Sequence, residues 1–155
     1  MEKKKFLWVP CLICLAIPLI PGFLVGLLTS GQNDIYETVR MPEFAPPAIL
    51  FPIVWSILYV LMGVSLYLIY RNGASRRDYL LFGAQLLFNL VWPFLFFSLE
   101  AFWVAFVWLA VLWLLIFSMI LSFCVTYPTA AYLQIPYLLW VTFAGVLNFS
   151  IASLN

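Results

Sequence analysis

Residues 102–125 read FWVAFVWLAVLWLLIFSMILSFCV, a segment that is almost entirely apolar and holds no charged residue. A helix of about 20 apolar residues is long enough to cross the hydrocarbon core of a bilayer. Over the whole chain 66% of the residues are hydrophobic and 8% are charged. A soluble domain of this length could not bury so much apolar surface. The segment therefore predicts a membrane-spanning helix in a membrane protein.

Similar apolar runs occur along the rest of the chain. The five predicted spans are 6–28, 47–70, 79–99, 102–125 and 129–154. The runs are continuous and do not alternate as the strands of a β-barrel would. Short links leave no room for a second domain. We expect an all-α membrane protein, a five-transmembrane-helix bundle, with residues 1–155 as a single domain.

The basic residues predict the orientation of this bundle. If the chain crosses the membrane five times, six basic residues lie on the same side of the membrane: Lys3, Lys4, Lys5, Arg71, Arg76 and Arg77. The other side holds only Arg40. Short loops rich in Lys and Arg stay inside, so we expect the N-terminus inside and the C-terminus outside. The net charge of +1 gives no indication of a nucleic-acid partner.

The third run carries the strongest polar pattern within the predicted membrane region. Gln85, Asn89, Trp92 and Phe96 follow one another at i, i+4, i+7 and i+11, which places them on one helix face. Amides in hydrocarbon need partners or a cavity. The pattern leaves two interpretations open. The amides either clamp neighbouring helices together or point donors and acceptors at a ligand.

Met41–Pro47 contains three prolines, which restrict the backbone at and before each ring. We expect a stiff, extended strap with Pro47 in the first turn of the next helix. That helix carries Trp55 and Tyr59 one turn apart. The strap is predicted to cover a pocket lined with aromatic rings.

In the last run, Pro136, Trp140, Ala144 and Asn148 recur at every fourth position. Small Ala144 leaves room beside Trp140, as the wall of a pocket would. Asn148 needs a partner, for which Asn89 and Gln85 are the candidates.

Much catalytic chemistry is excluded by composition. The chain has no histidine, and no Ser/His/Asp set, phosphate-binding loop or metal-ligand spacing is present. The acidic residues are expected in loops, which argues against a proton relay across the membrane: Asp34, Glu37, Glu43, Asp78 and Glu100. Cys11 and Cys14 are interpreted as inert hydrophobic residues. Gly22 and Gly26 form a G-x-x-x-G motif that serves either close packing inside the monomer or dimerisation.

Three groups of residues together resemble a known family. The first is Tyr36 with Pro42-x-Phe44-x-Pro46-Pro47 and Trp55-x-x-x-Tyr59-x-x-Met62-Gly63. The second is Gln85-x-x-x-Asn89-x-x-Trp92-Pro93 with Phe96-Phe97. The third is Pro136-Tyr137-Leu138-x-Trp140-x-x-Phe143-Ala144 with Leu147-Asn148 and Asn155. In this order and spacing, they resemble the TspO/MBR family of tryptophan-rich sensory and translocator proteins, also known as peripheral benzodiazepine-type receptors.

The resemblance implies a pocket beneath the first loop that binds porphyrins, such as protoporphyrin IX and haem, and benzodiazepine-site ligands. The resemblance implies that the protein requires no cofactor, since porphyrin would be its ligand or substrate. The ligand-binding residues that it implies are Tyr36, Pro46, Trp55, Tyr59, Gln85, Asn89, Trp92, Phe96, Trp140, Ala144 and Leu147. Trp55 and Trp140 would be catalytic if the protein degrades porphyrin under light. No metal site is implied.

The resemblance further implies a homodimer in a lipid bilayer, in this case a bacterial cell membrane. Transport of tetrapyrroles and a regulatory role in a larger membrane complex are the alternatives. The strap departs from the family pattern at Met41 and Phe44. The sterol-associated motif of the last helix is also missing, because Phe149 stands at the position of its tyrosine and no Lys or Arg follows.

Overall fold

The computed structural model describes residues 6–29 and 38–155, and most of these residues lie in helices. The helices are α1 (Trp8–Thr29), α2 (Leu50–Arg71), α3 (Arg76–Pro93, continued by a π-helical turn, Phe94–Ser98), α4 (Phe102–Thr126), α5 (Pro128–Tyr132) and α6 (Ile135–Leu154). Counting α5 and α6 as one, five spans are long and apolar enough to cross a membrane. The prediction of an all-α bundle with five transmembrane helices is confirmed.

Two helices begin three residues away from their predicted starts. α3 begins at Arg76, three residues before the predicted start, because Ser75 caps it. The Ser75 side chain accepts from the backbone N–H of Asp78, while the Asp78 carboxylate accepts from the Ser75 N–H, and this reciprocal box stabilises a helix start. α2 begins at Leu50 rather than in the turn of Pro47. A turn closed by the Leu50 N–H on the Pro47 carbonyl, at 2.9 Å, precedes it.

The last predicted span is interrupted near its start. α5 ends at Tyr132, and α6 begins at Ile135. The cause is Pro136, which has no N–H to donate to the carbonyl of Tyr132 and whose ring is incompatible with an uninterrupted helix at that carbonyl.

α4 packs against α3, α5 and α6. Its buried side chains recur at alternating steps of three and four residues: Ala105, Leu109, Leu112, Ile116, Met119 and Phe123. This spacing puts them on a single helix face. The other faces of α4 are apolar as well, as expected for a helix surrounded partly by lipid.

α1 and α2 approach closely because two glycines lie between them. Gly22 of α1 faces the ring of Tyr59, and Gly63 of α2 faces the backbone of Leu15. A Cβ on Gly63 would lie 2.7 Å from the Leu15 Cα atom, which no real side chain tolerates. Gly22 therefore serves packing inside the monomer, one of the two interpretations of its motif.

Asp78 ties α3 to α4. Its Oδ1 accepts a hydrogen bond from Ser122 Oγ at 2.6 Å, and its Oδ2 accepts one from Thr126 Oγ1 at 2.8 Å. The Ser75 hydroxyl also donates to this carboxylate. The expectation that Asp78 belongs to a loop was wrong, since it lies fully buried in the first turn of α3. Hydrogen bonds from several donors compensate for its lost hydration.

The strap, Met41–Pro47, contains a turn and is not extended throughout. The Ala45 N–H donates to the Pro42 carbonyl at 3.0 Å. Just before the strap, the Arg40 N–H donates to Asn155 Oδ1 at 3.0 Å, and Asn155 Nδ2 donates to the Arg40 carbonyl at 3.2 Å. This reciprocal pair fastens the start of the strap to the end of α6.

Replacing Gly63 with alanine is expected to destabilise the bundle by about 1–3 kcal/mol, because the added methyl group must push α1 away from α2. The free energy of unfolding in detergent measures the effect. Gly83→Ala is the matched control, since a Cβ at Gly83 meets no atom within 4 Å. The Gly83→Ala variant should have a free energy of unfolding up to about 1 kcal/mol higher. Equal losses of stability in the two variants would contradict the close contact at Gly63.

Replacing Asp78 with asparagine keeps the shape of the side chain but removes the charge that strengthens its hydrogen bonds. We expect a loss of about 2 kcal/mol in unfolding free energy, in the range of hydrogen bonds to charged groups. Glu100→Gln, at an exposed acidic residue outside the helices, should change it by less than about 0.5 kcal/mol. Equal stability of the two variants would show that the Asp78 charge contributes nothing.

Candidate ligand-binding cavity

A cavity of about 650 Å³ lies between α1, α2 and α3. It exists because α1 and α2 touch at Gly22 and Gly63 and separate beyond them. Gly26, one turn after Gly22, lines the cavity, and a Cβ there would meet no atom within 4 Å. The second glycine of the motif thus faces the cavity, and an added Cβ there would meet no described residue.

Aromatic side chains form much of the cavity wall: Phe23, Phe51, Trp55, Tyr59, Trp92 and Phe97. Trp55 stacks on Tyr59 with ring centroids 5.8 Å apart and an interplanar angle of 29°. Their spacing of four residues produces this arrangement on one face of α2. The described lining includes no charged residue, so the cavity is suited to an apolar ligand with a flat surface.

A chain of three hydrogen-bonded side chains borders the cavity. The Tyr59 hydroxyl donates to Asn89 Oδ1 at 2.7 Å, and Asn89 Nδ2 donates to the Tyr137 hydroxyl at 2.8 Å. Asn89 therefore joins α2, α3 and α6 and also lines the cavity. Asn89 is thus a clamp between helices, one of the two interpretations left open by the sequence, and it has a place on the cavity wall.

Tyr137 belongs to this arrangement but was missed as a site residue. Sequence reasoning followed steps of four residues from Pro136 to Asn148. The residues of α6 that are buried are Tyr137, Val141, Ala144, Leu147, Asn148, Ile151 and Ala152. A search for mixed steps of three and four residues, the actual helical period, would have found Tyr137.

A second, much smaller pocket lies beneath the strap. It measures about 10 Å³, roughly the space of a single water molecule. Among its lining residues are Met41, Phe51, Trp92, Phe96, Ala144 and Leu147. Three predicted ligand residues, Phe96, Ala144 and Leu147, thus meet here and not in the large cavity, whose predicted members are Trp55, Tyr59, Asn89 and Trp92.

Of the remaining predicted residues, the three that the structure describes line neither space. Trp140 packs its ring against that of Phe51 at 5.6 Å. Gln85 is fully buried, and neither of its amide atoms has a hydrogen-bond partner among the described residues. Pro46 is a half-buried part of the strap, and Tyr36 lies outside the described residues.

Trp92 is fixed in position by α6. Its Nε1 donates to Asn148 Oδ1 at 3.2 Å, and its ring stacks on Phe96 at 5.2 Å. Asn148 Nδ2 donates in turn to the Phe102 carbonyl. The expectation that Asn148 pairs with Asn89 or Gln85 was wrong, because Asn89 is engaged by the two tyrosines and Asn148 lies nearer the strap.

Sequence reasoning also missed the contribution of α1 and the role of Phe51 and Phe97. Phe97 lies in the π-helical turn that follows Pro93. A π-helical turn changes the direction of the side chains after it, so no α-helical spacing predicts which of Phe96 and Phe97 faces which space. Phe97 lines both.

Comparison with known proteins identifies the family of the chain. Residues 14–154 match the model of the TspO/MBR family. The chain is 34% identical to the tryptophan-rich protein TspO of Chlorobaculum tepidum, over 92% of this chain and 94% of that protein. It is 32% identical to the translocator protein of Bos taurus, over 92% and 88% of the two chains. It is also 32% identical to the tryptophan-rich sensory protein of Cereibacter sphaeroides, over 79% and 78%. With matches of this extent, the chain belongs to the TspO/MBR family of membrane proteins.

Proposed function

We propose that the protein is an integral membrane receptor that binds porphyrins, such as protoporphyrin IX and haem, and benzodiazepine-site-type ligands. The observation that supports this most is the cavity between α1, α2 and α3, with its aromatic wall and a volume of about 650 Å³. Sites for small molecules and cofactors commonly measure about 300–1,000 Å³ and are mostly apolar. A flat, largely apolar macrocycle matches both the size and the chemistry of this space.

Stacking and dispersion would supply most of the binding free energy. The indole of Trp55 offers a large flat surface, and its stacking on Tyr59 holds that surface in place. Aromatic contacts contribute about 0.5–1.5 kcal/mol beyond the burial of their area. We propose that the ring of the ligand lies against Trp55, with Trp92 on the α3 side of the cavity.

Polar groups at the cavity wall would set the orientation of the ligand. Asn89 uses its amide oxygen and one amide hydrogen in the bonds to Tyr59 and Tyr137, which leaves the second hydrogen for a ligand. The Ser56 hydroxyl donates to the Pro52 carbonyl at 2.7 Å, so its oxygen remains an acceptor. Gln85 would act indirectly, from the turn of α3 behind Asn89.

The names of the relatives support different parts of the proposal. One bacterial relative is named a sensory protein, which suits a receptor. The bovine relative is named a translocator protein, which favours transport of the same ligands as the alternative. We further propose a homodimer in a bacterial cell membrane, with the N-terminus inside and the C-terminus outside.

Trp55→Phe tests the binding site. Loss of the larger ring should remove about 1 kcal/mol of aromatic contact, which corresponds to about fivefold weaker binding of protoporphyrin IX. Titration of the purified protein, followed by the absorbance of the porphyrin, gives the Kd. Trp103→Phe is the matched control, since Trp103 is 54% exposed on α4 and lies outside the cavity lining.

Equal Kd values for the parent protein and Trp55→Phe would remove Trp55 from the site. A parent protein that binds porphyrin no better than empty detergent micelles would contradict the proposed function itself.

Light-dependent breakdown of bound porphyrin is a second candidate, because a tryptophan forms part of the cavity wall. The described lining contains no carboxylate or basic side chain, so such a reaction would depend on light, molecular oxygen and the indole. Under illumination in air, we expect porphyrin absorbance to decay faster with the protein than in detergent alone, and Trp55→Phe to slow this decay by at least about twofold beyond its effect on occupancy. Decay at the detergent rate would leave a binding protein without this activity.

A further inference from the structure

We propose that Phe51 is a movable partition between the cavity and the small pocket, and that it determines whether a ligand reaches Trp140. The inference rests on the proposed function, since it concerns the ligand of the same cavity. It adds a residue that selects ligands by size and explains why the predicted ligand residues fall into two separate groups.

The position of Phe51 carries the argument. It lies in the first turn of α2 and lines both spaces. Its ring packs edge-on against Trp140, with centroids 5.6 Å apart and an interplanar angle of 67°. Trp55 and Tyr59 lie on the cavity side of this ring, and Ala144 and Leu147 lie on the pocket side. A ligand in the cavity therefore meets Phe51 before it can meet Trp140.

The other two residues shared by both linings pack against α6 and against each other. Trp92 is hydrogen-bonded to Asn148 and stacked on Phe96. Phe97 packs edge-on against both Trp92 and Phe96, at 6.0 Å and 5.0 Å. Phe51 lies at the beginning of its helix, next to the turn that leads from the strap. Local opening costs least near the ends of helices, and Phe51 stands in the first turn of α2.

Trp140 carries a donor that has no acceptor in this arrangement. Its Nε1 atom is buried and makes no hydrogen bond with any described residue. A buried N–H without a partner costs about 1–3 kcal/mol. A ligand that displaces Phe51 and presents an acceptor oxygen at its edge, such as a carboxylate or carbonyl, would satisfy this donor and offset part of the cost of moving the ring.

Ligand size then decides which tryptophans take part. A small planar ligand fits the cavity and contacts Trp55 while Phe51 stays in place. A large macrocycle gains contact with Trp140 only when the Phe51 ring moves, because the pocket behind it offers only about 10 Å³. Removing the ring should therefore favour the large ligand.

A double-mutant cycle on Phe51 and Trp140 tests the partition, with Kd for protoporphyrin IX measured by porphyrin absorbance. Trp140→Phe alone should change Kd by less than about twofold, and Phe51→Ala should tighten binding by about threefold or more. In the Phe51→Ala background, Trp140→Phe should weaken binding by at least about threefold, a coupling typical of residues that share one interaction. Phe51→Leu should show a coupling of the same sign but smaller magnitude. It replaces Phe51→Ala in the cycle if Phe51→Ala fails to fold.

Phe23→Ala provides the control cycle, since Phe23 lines only the large cavity and should show no coupling with Trp140. An equal effect of Trp140→Phe in the parent and Phe51→Ala backgrounds would overturn the partition, whether that effect is large or absent. Coupling of the same size with Phe23 would overturn it as well. Failure of the parent protein to bind porphyrin has a different signature and would remove the proposed function together with this inference.

Discussion

Tyr59 connects the parts of the molecule on which the cavity depends. Its ring packs on Gly22 of α1, where no side chain would fit. Its hydroxyl begins the hydrogen-bonded chain through Asn89 to Tyr137, which joins α2, α3 and α6. Close contact on one side and hydrogen bonds on the other fix α2 between α1 and the rest of the bundle. The cavity is the space left where α1 and α2 diverge from this contact, so its size follows from the position of one aromatic ring.

Two amides of similar sequence context have different surroundings. Asn89 and Gln85 are one helical turn apart on α3, and either could have been a clamp or a ligand contact. Asn89 meets a tyrosine hydroxyl from α2 and another from α6. Gln85 is fully buried and finds no partner among the described residues. A buried amide without a partner calls for an explanation such as an ordered water molecule. Such a water molecule would lie in the core one turn of α3 from Asn89.

The fold was predictable because its main determinant is local. A continuous apolar run such as residues 102–125 is expected to be a helix in hydrocarbon, since a helix satisfies its backbone polar groups within the segment itself. Helix starts were less predictable, because the start of α3 depends on the capping box of Ser75 and Asp78 and the start of α6 on Pro136. The two groups of site residues could not be separated by sequence reasoning. Whether Ala144 faces the same space as Trp55 depends on how Phe51 and Trp140 pack, and this is a property of the assembled bundle.

The attachment of Arg40 to Asn155 has a consequence for how the strap can vary. At residue 40, Asn155 bonds only to the backbone N–H and carbonyl, so the attachment does not depend on the side chain at that position. Any residue other than proline can stand there without loosening the strap. The requirement falls instead on Asn155, whose amide supplies one donor and one acceptor at once. Sequence freedom at the start of the strap is thus made possible by restriction at a residue 115 positions away.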